Sequence, residues 1–533
     1  MNTDHLDVNQ SSSETLISSP ERLDDGEFTP EAQAKNRDKP LARRMASRAT
    51  FLLLLIVLAS NSYRATTQSI TTDEALTFTT WVDGSWSEII EDYIPNNHVL
   101  HTILAKVSVD TFGIHAWSFR LPSLLGGAFF LCCLFQLTKN WHRPWIAFCA
   151  VAAVALNPFL LDYMSAARGY GLAAASLLAA FIAATCLVHN DTKQRQHWLL
   201  MGFSSGLAVA FNLAFFFAVC ALTLSTLINL CSQVSRDARK VMAQFAVCFV
   251  VPAAAIILGV VVPVQRVTGL GHFSFGAKSM HEMTTSLVQP TFFHDPSSLP
   301  VERFLDFVPA WCIPALVAIL VVIAIFQISW FKKRPSSIEA VTLRIASLAL
   351  GISLLGLFVA NWTLKLPYPK SRTGIYLVLF LSIALSSLVG QIARWRQVAG
   401  IFCLPILLIP IVIFAAQFPS AHYADWKFDA NSESIYDWIE MNRPRSGDRK
   451  VRVLCVPFQH EPSLNFYRRS RSAKWLAPVE RSTIHGVPRP GIYGSTYDFL
   501  VQIPGWQSIP STQERYKVIY QDDQTGTLIS VPK

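Results

Sequence analysis

Two adjacent carboxylates, Asp73 and Glu74, stand in the run Thr71-Thr72-Asp73-Glu74-Ala75, a few residues beyond the first long apolar stretch. Cations follow beside later apolar stretches: Lys106, then Arg168 in Arg168-Gly169-Tyr170, then Lys370 and Arg372. Between them lies Asn96-Asn97-His98-Val99-Leu100-His101. A carboxylate at a membrane surface can accept a proton from an attacking hydroxyl or amine, or hold a divalent metal. Lys and Arg suit a phosphate, and Arg grips it with two parallel hydrogen bonds. An acid beside several cations at the ends of apolar runs therefore points to a lipid phosphate whose sugar is passed to an acceptor. Singly, each signal is ordinary. An Asp-Glu pair after a helix is commonly a solvated loop start, and interfacial Trp and Tyr form belts in any membrane protein. Arg168 is harder to set aside, because an Arg beside an apolar span is costly unless it is paired or snorkels to the surface.

The elements that must position these residues are membrane spans. Of 533 residues, 51% are hydrophobic and only 15% charged. The apolar residues are gathered into runs that approach the ~20 residues a bilayer-crossing helix needs. The net charge of +9 does not call for nucleic acid, since the basic residues fall mostly in short loops, where they orient helices and meet anionic headgroups. Ten cysteines are present, and all but Cys455 lie in apolar stretches, which gives neither a disulfide framework nor a metal knot. About eleven spans are expected, near 48–65, 119–138, 144–162, 171–188, 198–212, 214–231, 242–264, 309–331, 343–361, 374–392 and 398–417. Arg43, Arg44 and Arg48 precede the first, so residues 1–47 are expected to form a disordered cytoplasmic tail. Lys139, Lys193, Arg195, Arg239, Lys332 and Arg394 then fall in short inner loops, as the positive-inside rule requires.

That topology puts the loops 66–118, 162–170, 265–308 and 362–373 outside the membrane, with the tail 418–533. In the first loop, Trp86, Ile89, Ile90 and Tyr93 are spaced for one face of a helix lying in the interface. The tail reads as a small α/β domain: helices near 434–441 and 462–468, and strands near 451–456, 499–503, 517–520 and 527–531. His272, His281, Glu282, His294 and Asp295 in the 265–308 loop follow no metal-ligand spacing, so a substrate-gating loop is expected there.

The layout resembles the membrane glycosyltransferases of the GT-C fold, in particular the dolichyl-phosphate-mannose-protein mannosyltransferase and aminoarabinose transferase-like group. Asp73-Glu74-Ala75 stands where that group has an acidic motif after its first span. Asn97-His98-Val99-Leu100 stands at its His-Pro-Pro-Leu element, with Val99 and Leu100 in place of the prolines. Arg120-Leu121-Pro122 matches the entry to its second span, and Tyr163 with Ala167-Arg168-Gly169-Tyr170 matches the next outer element. The resemblance covers residues 48–230 most clearly. It implies an all-α polytopic membrane domain over 48–417 followed by the extracytoplasmic α/β tail. It also implies a polyprenyl-phosphate-sugar donor, a lipid, glycan or protein acceptor, and a multi-pass place in the cell (inner) membrane. Asp73 is then expected as general base or acceptor-orienting acid, directly or through a divalent metal, with Glu74 in support. His98, Lys106, Arg168, Tyr170, Lys370 and Arg372 are expected to bind the donor's phosphate or sugar, and direct displacement implies inversion.

Two other classes compete. A transporter or lipid flippase calls for ionisable residues along the spans themselves, whereas here they stand mostly at span ends. A membrane-anchored scaffold would act through its outer tail alone.

Overall fold

The computed structural model describes residues 30–91, 96–189, 193–232, 238–265, 275–292, 315, 319, 322–323, 337–416, 422–444, 449–484, 487–489, 496–503 and 515–533. Among these, eight helices are long and apolar enough to cross a membrane, from Leu41–Thr67 to Gln397–Ala416. The chain is a multi-pass, all-α membrane protein with a small α/β domain at its C-terminal end. A ninth span arises if Pro144–Ala155 and Pro158–Ser165, bent by 63°, count as one. The break has a local cause. Asn157 caps the second piece by accepting from the Leu160 N–H at 3.2 Å, and Pro158 sits in its first turn, where a missing N–H does no harm. The span expected at 144–162 is formed by this kinked pair.

Gln194–Phe211, expected to span at 198–212, is not among the eight; its first turn is polar, with Gln194, Arg195, Gln196 and His197. The span expected at 309–331 lies outside the described residues except at 315, 319, 322 and 323. Of the tail expected to be disordered, residues 1–29 also lie outside them, while the helix ending at Thr67 begins at Pro30. The helix thus takes in residues 30–47 of that tail.

Burial sorts the spans. Tyr170–His189 is apolar all round and 83% buried across its apolar window, whereas Gln397–Ala416 is only 11% buried. Ala173, Ala174, Ala180 and Ala184 on the central helix are each at most 1% exposed. Small side chains there let neighbouring backbones approach closely, which drives helix packing where water is absent.

In the tail, β1 (Val453–Val456) is a wholly buried apolar run, as a strand with neighbours on both sides and covered faces should be. It pairs in parallel with β2 (Glu480–Arg481) and with β5 (Phe499–Gln502). The helix His460–Ser470 makes the crossover between β1 and β2. With β3 (Thr483–Ile484) and β4 (Val487–Pro488) forming a separate hairpin, β6 (Tyr516–Gln521) and β7 (Leu528–Pro532) complete a mixed sheet of order β2-β1-β5-β7-β6. The helices and strands expected in the tail all form at their expected places.

The tail does not stand apart. Ile70, Ala75, Phe78 and Phe119 share one buried cluster with Ile435, Tyr436, Leu464, Phe466 and Tyr467. Phe78 meets Phe466 edge-on at 4.9 Å. Asp429 accepts from the Thr72 N–H at 2.5 Å and from its hydroxyl at 2.9 Å, and Tyr467 Oη accepts from the Ile70 N–H at 3.0 Å. The core of the tail is therefore completed by the loop that follows the first span.

Candidate active site

The short helix Thr72–Thr77 presents the acidic pair, and its first turn sends the two carboxylates to opposite tasks. Thr71 caps it in a capping box with Glu74: the Thr71 hydroxyl accepts from the Glu74 N–H, and Glu74 Oε2 accepts from the Thr71 N–H at 3.0 Å. Glu74 is wholly buried and paired with Arg120, Nε to Oε1 at 2.9 Å and Nη2 to Oε2 at 2.7 Å. The Ala167 N–H adds a further hydrogen bond to Oε1 at 2.5 Å. Burial alone would raise this carboxyl, but Arg120 and the two amides outweigh it and hold it below its ordinary value. Both Glu74 oxygens are committed to Arg120, the Ala167 N–H and the Thr71 N–H, so this carboxylate anchors the loop that carries Asp73.

Asp73 points the other way. Its Oδ2 accepts from Arg372 Nη2 at 2.8 Å and lies 4.0 Å from Arg168 Nη2, and its side chain keeps 20% exposure. Burial pushes the carboxyl up, but Arg372 and then Arg168 pull it below the usual carboxylate range, and the Trp426 indole adds a hydrogen bond. It is ionised at neutral pH. Arg168 is 2% exposed, and its guanidinium also donates to Thr77 Oγ1 at 3.2 Å and to the Asn96 side chain. The turn that delivers it needs Gly169. A Cβ there would fall 3.1 Å from His98 Cβ and collide with the Phe211 carbonyl oxygen.

Arg372 lies between the rings of Phe275 and Trp426, 5.0 and 5.3 Å from their centroids. On its far side Asp425 approaches Nη1 at 3.7 Å. Asp425 belongs to the segment leading into the tail. It accepts from Tyr163 Oη at 2.7 Å and from Ser371 Oγ at 2.7 Å. Ser371 itself holds a left-handed φ of 48°, unusual for a residue with a side chain. Neither Asp425 nor Trp426 was among the residues expected from sequence. The signal was an acid beside a Trp soon after the last apolar run, the counterpart of Asp73 after the first.

Arg168, Arg372, Tyr170 and His98 line a cavity of about 680 Å³. Phe217, Val260 and Leu357 on three span helices supply apolar lining, and the two arginines supply its charge. The His98 ring meets Tyr170 edge-on at 5.1 Å, and burial followed by Arg168 keeps its pKa well below the ordinary value, so it is neutral. Two expected phosphate ligands are elsewhere. Lys106 Nζ donates to the carbonyls of Val82 and Gly84, both at 2.8 Å, and stacks over Trp86. It stands eight residues beyond His98, roughly 12 Å up the helix Val99–Phe112. Lys370 pairs with Glu282 at 2.8 Å on the surface and is absent from the cavity wall. Its backbone precedes the left-handed Ser371, which turns Arg372 inward and leaves Lys370 outside. His272, His294 and Asp295 lie outside the described residues.

The donor set does not suit a divalent metal. Asp73 Oδ2 is engaged by the Arg372 guanidinium and faces that of Arg168, both repelling a cation. Among the described residues, no three His, Cys, Asp or Glu side chains converge for one.

No family model matches the chain, and no curated protein matches its sequence. Among solved structures, it is similar to ArnT from Cupriavidus metallidurans bound to undecaprenyl phosphate, with 14% identity and a TM-score of 0.49, over 90% of this chain and 97% of that one. It is also similar to the Archaeoglobus fulgidus oligosaccharyltransferase in complex with Zn and sulfate, with 14% identity and a TM-score of 0.45, over 90% of this chain and 73% of that one. These are likenesses of arrangement; the chemistry rests on the side chains just described.

Proposed function

We propose that this chain is a membrane glycosyltransferase that moves a sugar from a polyprenyl-phosphate donor to an acceptor on the extracytoplasmic face. One observation carries the reading: Asp73 is held between Arg372 and Arg168, and both arginines line a cavity whose other wall is apolar helix surface. An amphiphile with an apolar tail and an anionic head matches that wall. A volume of about 680 Å³ takes a phosphate, a sugar and the first part of a lipid tail.

In the reaction, an acceptor hydroxyl or amine attacks the anomeric carbon, and the bond from that carbon to the phosphate oxygen breaks. The bonding pair leaves with the phosphate, which gains one negative charge. Arg168 and Arg372 stand to stabilise that developing charge, and fixed cations in a water-poor site do so effectively. Asp73, ionised and beside them, orients the acceptor and receives its proton. A single displacement inverts the anomeric centre. The N-terminal side of the first span is cytoplasmic in this reading, and the site faces outward with the tail.

The test compares membrane extracts from cells carrying the wild type, Asp73→Asn and Arg168→Ala, after checking that each inserts normally. Both variants should accumulate polyprenyl-phosphate sugar and lose a glycosylated product, whose identity names the acceptor. An unchanged lipid-linked sugar pool in both would overturn the assignment.

A further inference from the structure

Several residues that line the cavity carry a buried polar atom with no hydrogen-bond partner in the protein, and these atoms share a bias. They are Asn96 Nδ2, His98 Nε2, Arg168 Nε, Asn212 Nδ2 and Tyr376 Oη. Orphaned buried groups are expensive, which makes such a convergence a signature of ligand contacts. Arg168 Nε and the two amide nitrogens donate only, while Tyr376 Oη and His98 Nε2 act either way. The amide orientations are fixed by their other ends. Asn212 Oδ1 accepts from the Ala214 N–H at 2.9 Å, and Asn96 Oδ1 accepts from Arg168.

The charge on this wall is as one-sided as its hydrogen bonding. Arg168 and Arg372 are on it, and among the described residues that line it there is no carboxylate. The nearest acids, Asp73 and Asp425, are both held against Arg372.

We infer, building on the transferase reading, that the donor sugar seated here is neutral or acidic, bearing hydroxyl, acetamido or carboxylate groups, and carries no free amine. Hydroxyl, acetamido and carboxylate oxygens accept from Asn96, Asn212, Arg168 and Tyr376. An ammonium would bring more donors to a wall already rich in them, face two guanidiniums and find the nearby Asp73 carboxylate already paired with both.

The experiment uses the purified full chain in lipid nanodiscs at pH 7.5. A labelled polyprenyl phosphate is displaced by unlabelled competitors: bare polyprenyl phosphate, a neutral hexose form, an aminosugar form and the same aminosugar N-acetylated. The neutral and acetylated forms should bind at least about tenfold more tightly than the free amine, the loss of one to two hydrogen bonds with added charge repulsion. An amine form that binds as well as its acetylated counterpart overturns the inference. Asn212→Asp keeps an oxygen for the Ala214 N–H while replacing the free donor with an acceptor, and it should shift the preference toward the amine. Tyr376→Phe, which changes least, should weaken the neutral form about fivefold and leave bare polyprenyl phosphate unchanged. Equal loss for both lipids would count against a sugar contact there. Failure of bare polyprenyl phosphate to bind removes the transferase reading and this one together. Binding of the bare lipid with preference for the amine removes only the sugar assignment.

Discussion

Tyr163 and Asp425, 262 residues apart in the chain, are joined by a hydrogen bond of 2.7 Å from the phenol to the carboxylate. The same carboxylate accepts from Ser371 and lies 3.7 Å from Arg372. One acid from the start of the tail thus fixes the strained turn that aims an arginine into the cavity. Asp425→Asn should slow transfer about tenfold or more through misplacement of Arg372. The loss should fall mainly on kcat, with insertion intact, because Asp425 positions Arg372 rather than holding the donor. Steady-state rates at equal amounts of inserted protein check this, and an unchanged kcat would refute it.

The Glu74–Arg120 pair carries the opposite expectation. Both side chains are wholly buried, so removing either leaves an uncompensated charge, at a cost of about 3–5 kcal/mol. Glu74→Gln and Arg120→Met should each lower the thermal midpoint sharply. The double variant should lose less than the two single losses added together, since no charge is then stranded. Thermal unfolding of purified protein reads all three.

Lys106 and Arg168 separate structural from functional cations. Lys106→Met removes two hydrogen bonds to loop carbonyls and should lower stability by about 1–3 kcal/mol. Its donor KM should stay within about twofold of wild type, because the ammonium lies away from the cavity. Arg168→Met should reduce kcat by about a hundredfold, in the range for losing a group that stabilises developing charge. Similar kinetic losses in the two variants would contradict the site as described.

His460 offers a pH test in the tail. Burial lowers its pKa to about 4, with Asp522 opposing. It sits between Ser432 Oγ and Thr527 Oγ1, each 3.1 Å away. Between pH 6.5 and 4 the unfolded chain takes up a proton there that the folded chain does not. Stability therefore falls as the pH drops through that window, by about 1.4 kcal/mol per unit for this group. His460→Gln should be less stable at pH 7.5 yet show a flatter decline toward pH 4. A melting series from pH 4 to 7.5 distinguishes the two slopes.

The residues legible in the sequence were those whose position relative to a span settles their environment. Asp73, Arg168 and Arg372 stand at span ends beside apolar runs, and proximity to the membrane confines them to one surface. The tail's strands were legible because alternation and apolar runs report burial directly. Lys106 was misjudged because charge alone does not say which way a helix face turns; the helix Val99–Phe112 takes its ammonium to Val82 and Gly84. Lys370 and Arg372 differ by two residues, and only the left-handed Ser371 between them decides which points inward. Asp425 was hidden by long-range assembly, since nothing local links it to Tyr163. The bend at Asn157-Pro158 was written in the chain as a cap followed by a proline, but a long apolar run masks such punctuation.

The joint between Thr72 and Asp429 also sets a schedule for biogenesis. These partners are 357 residues apart, and at ribosomal speeds of ~5–20 residues per second the second emerges roughly 20–70 s after the first. Until then the Thr72 N–H and hydroxyl lack the carboxylate that accepts from them. A prematurely terminated chain would insert most of its spans and still lack Asp425, Asp429 and the aromatic cluster around Phe466. Assembly of the carboxylate site therefore waits for the segment around Asp425 and Asp429, which is made after every candidate span among the described residues.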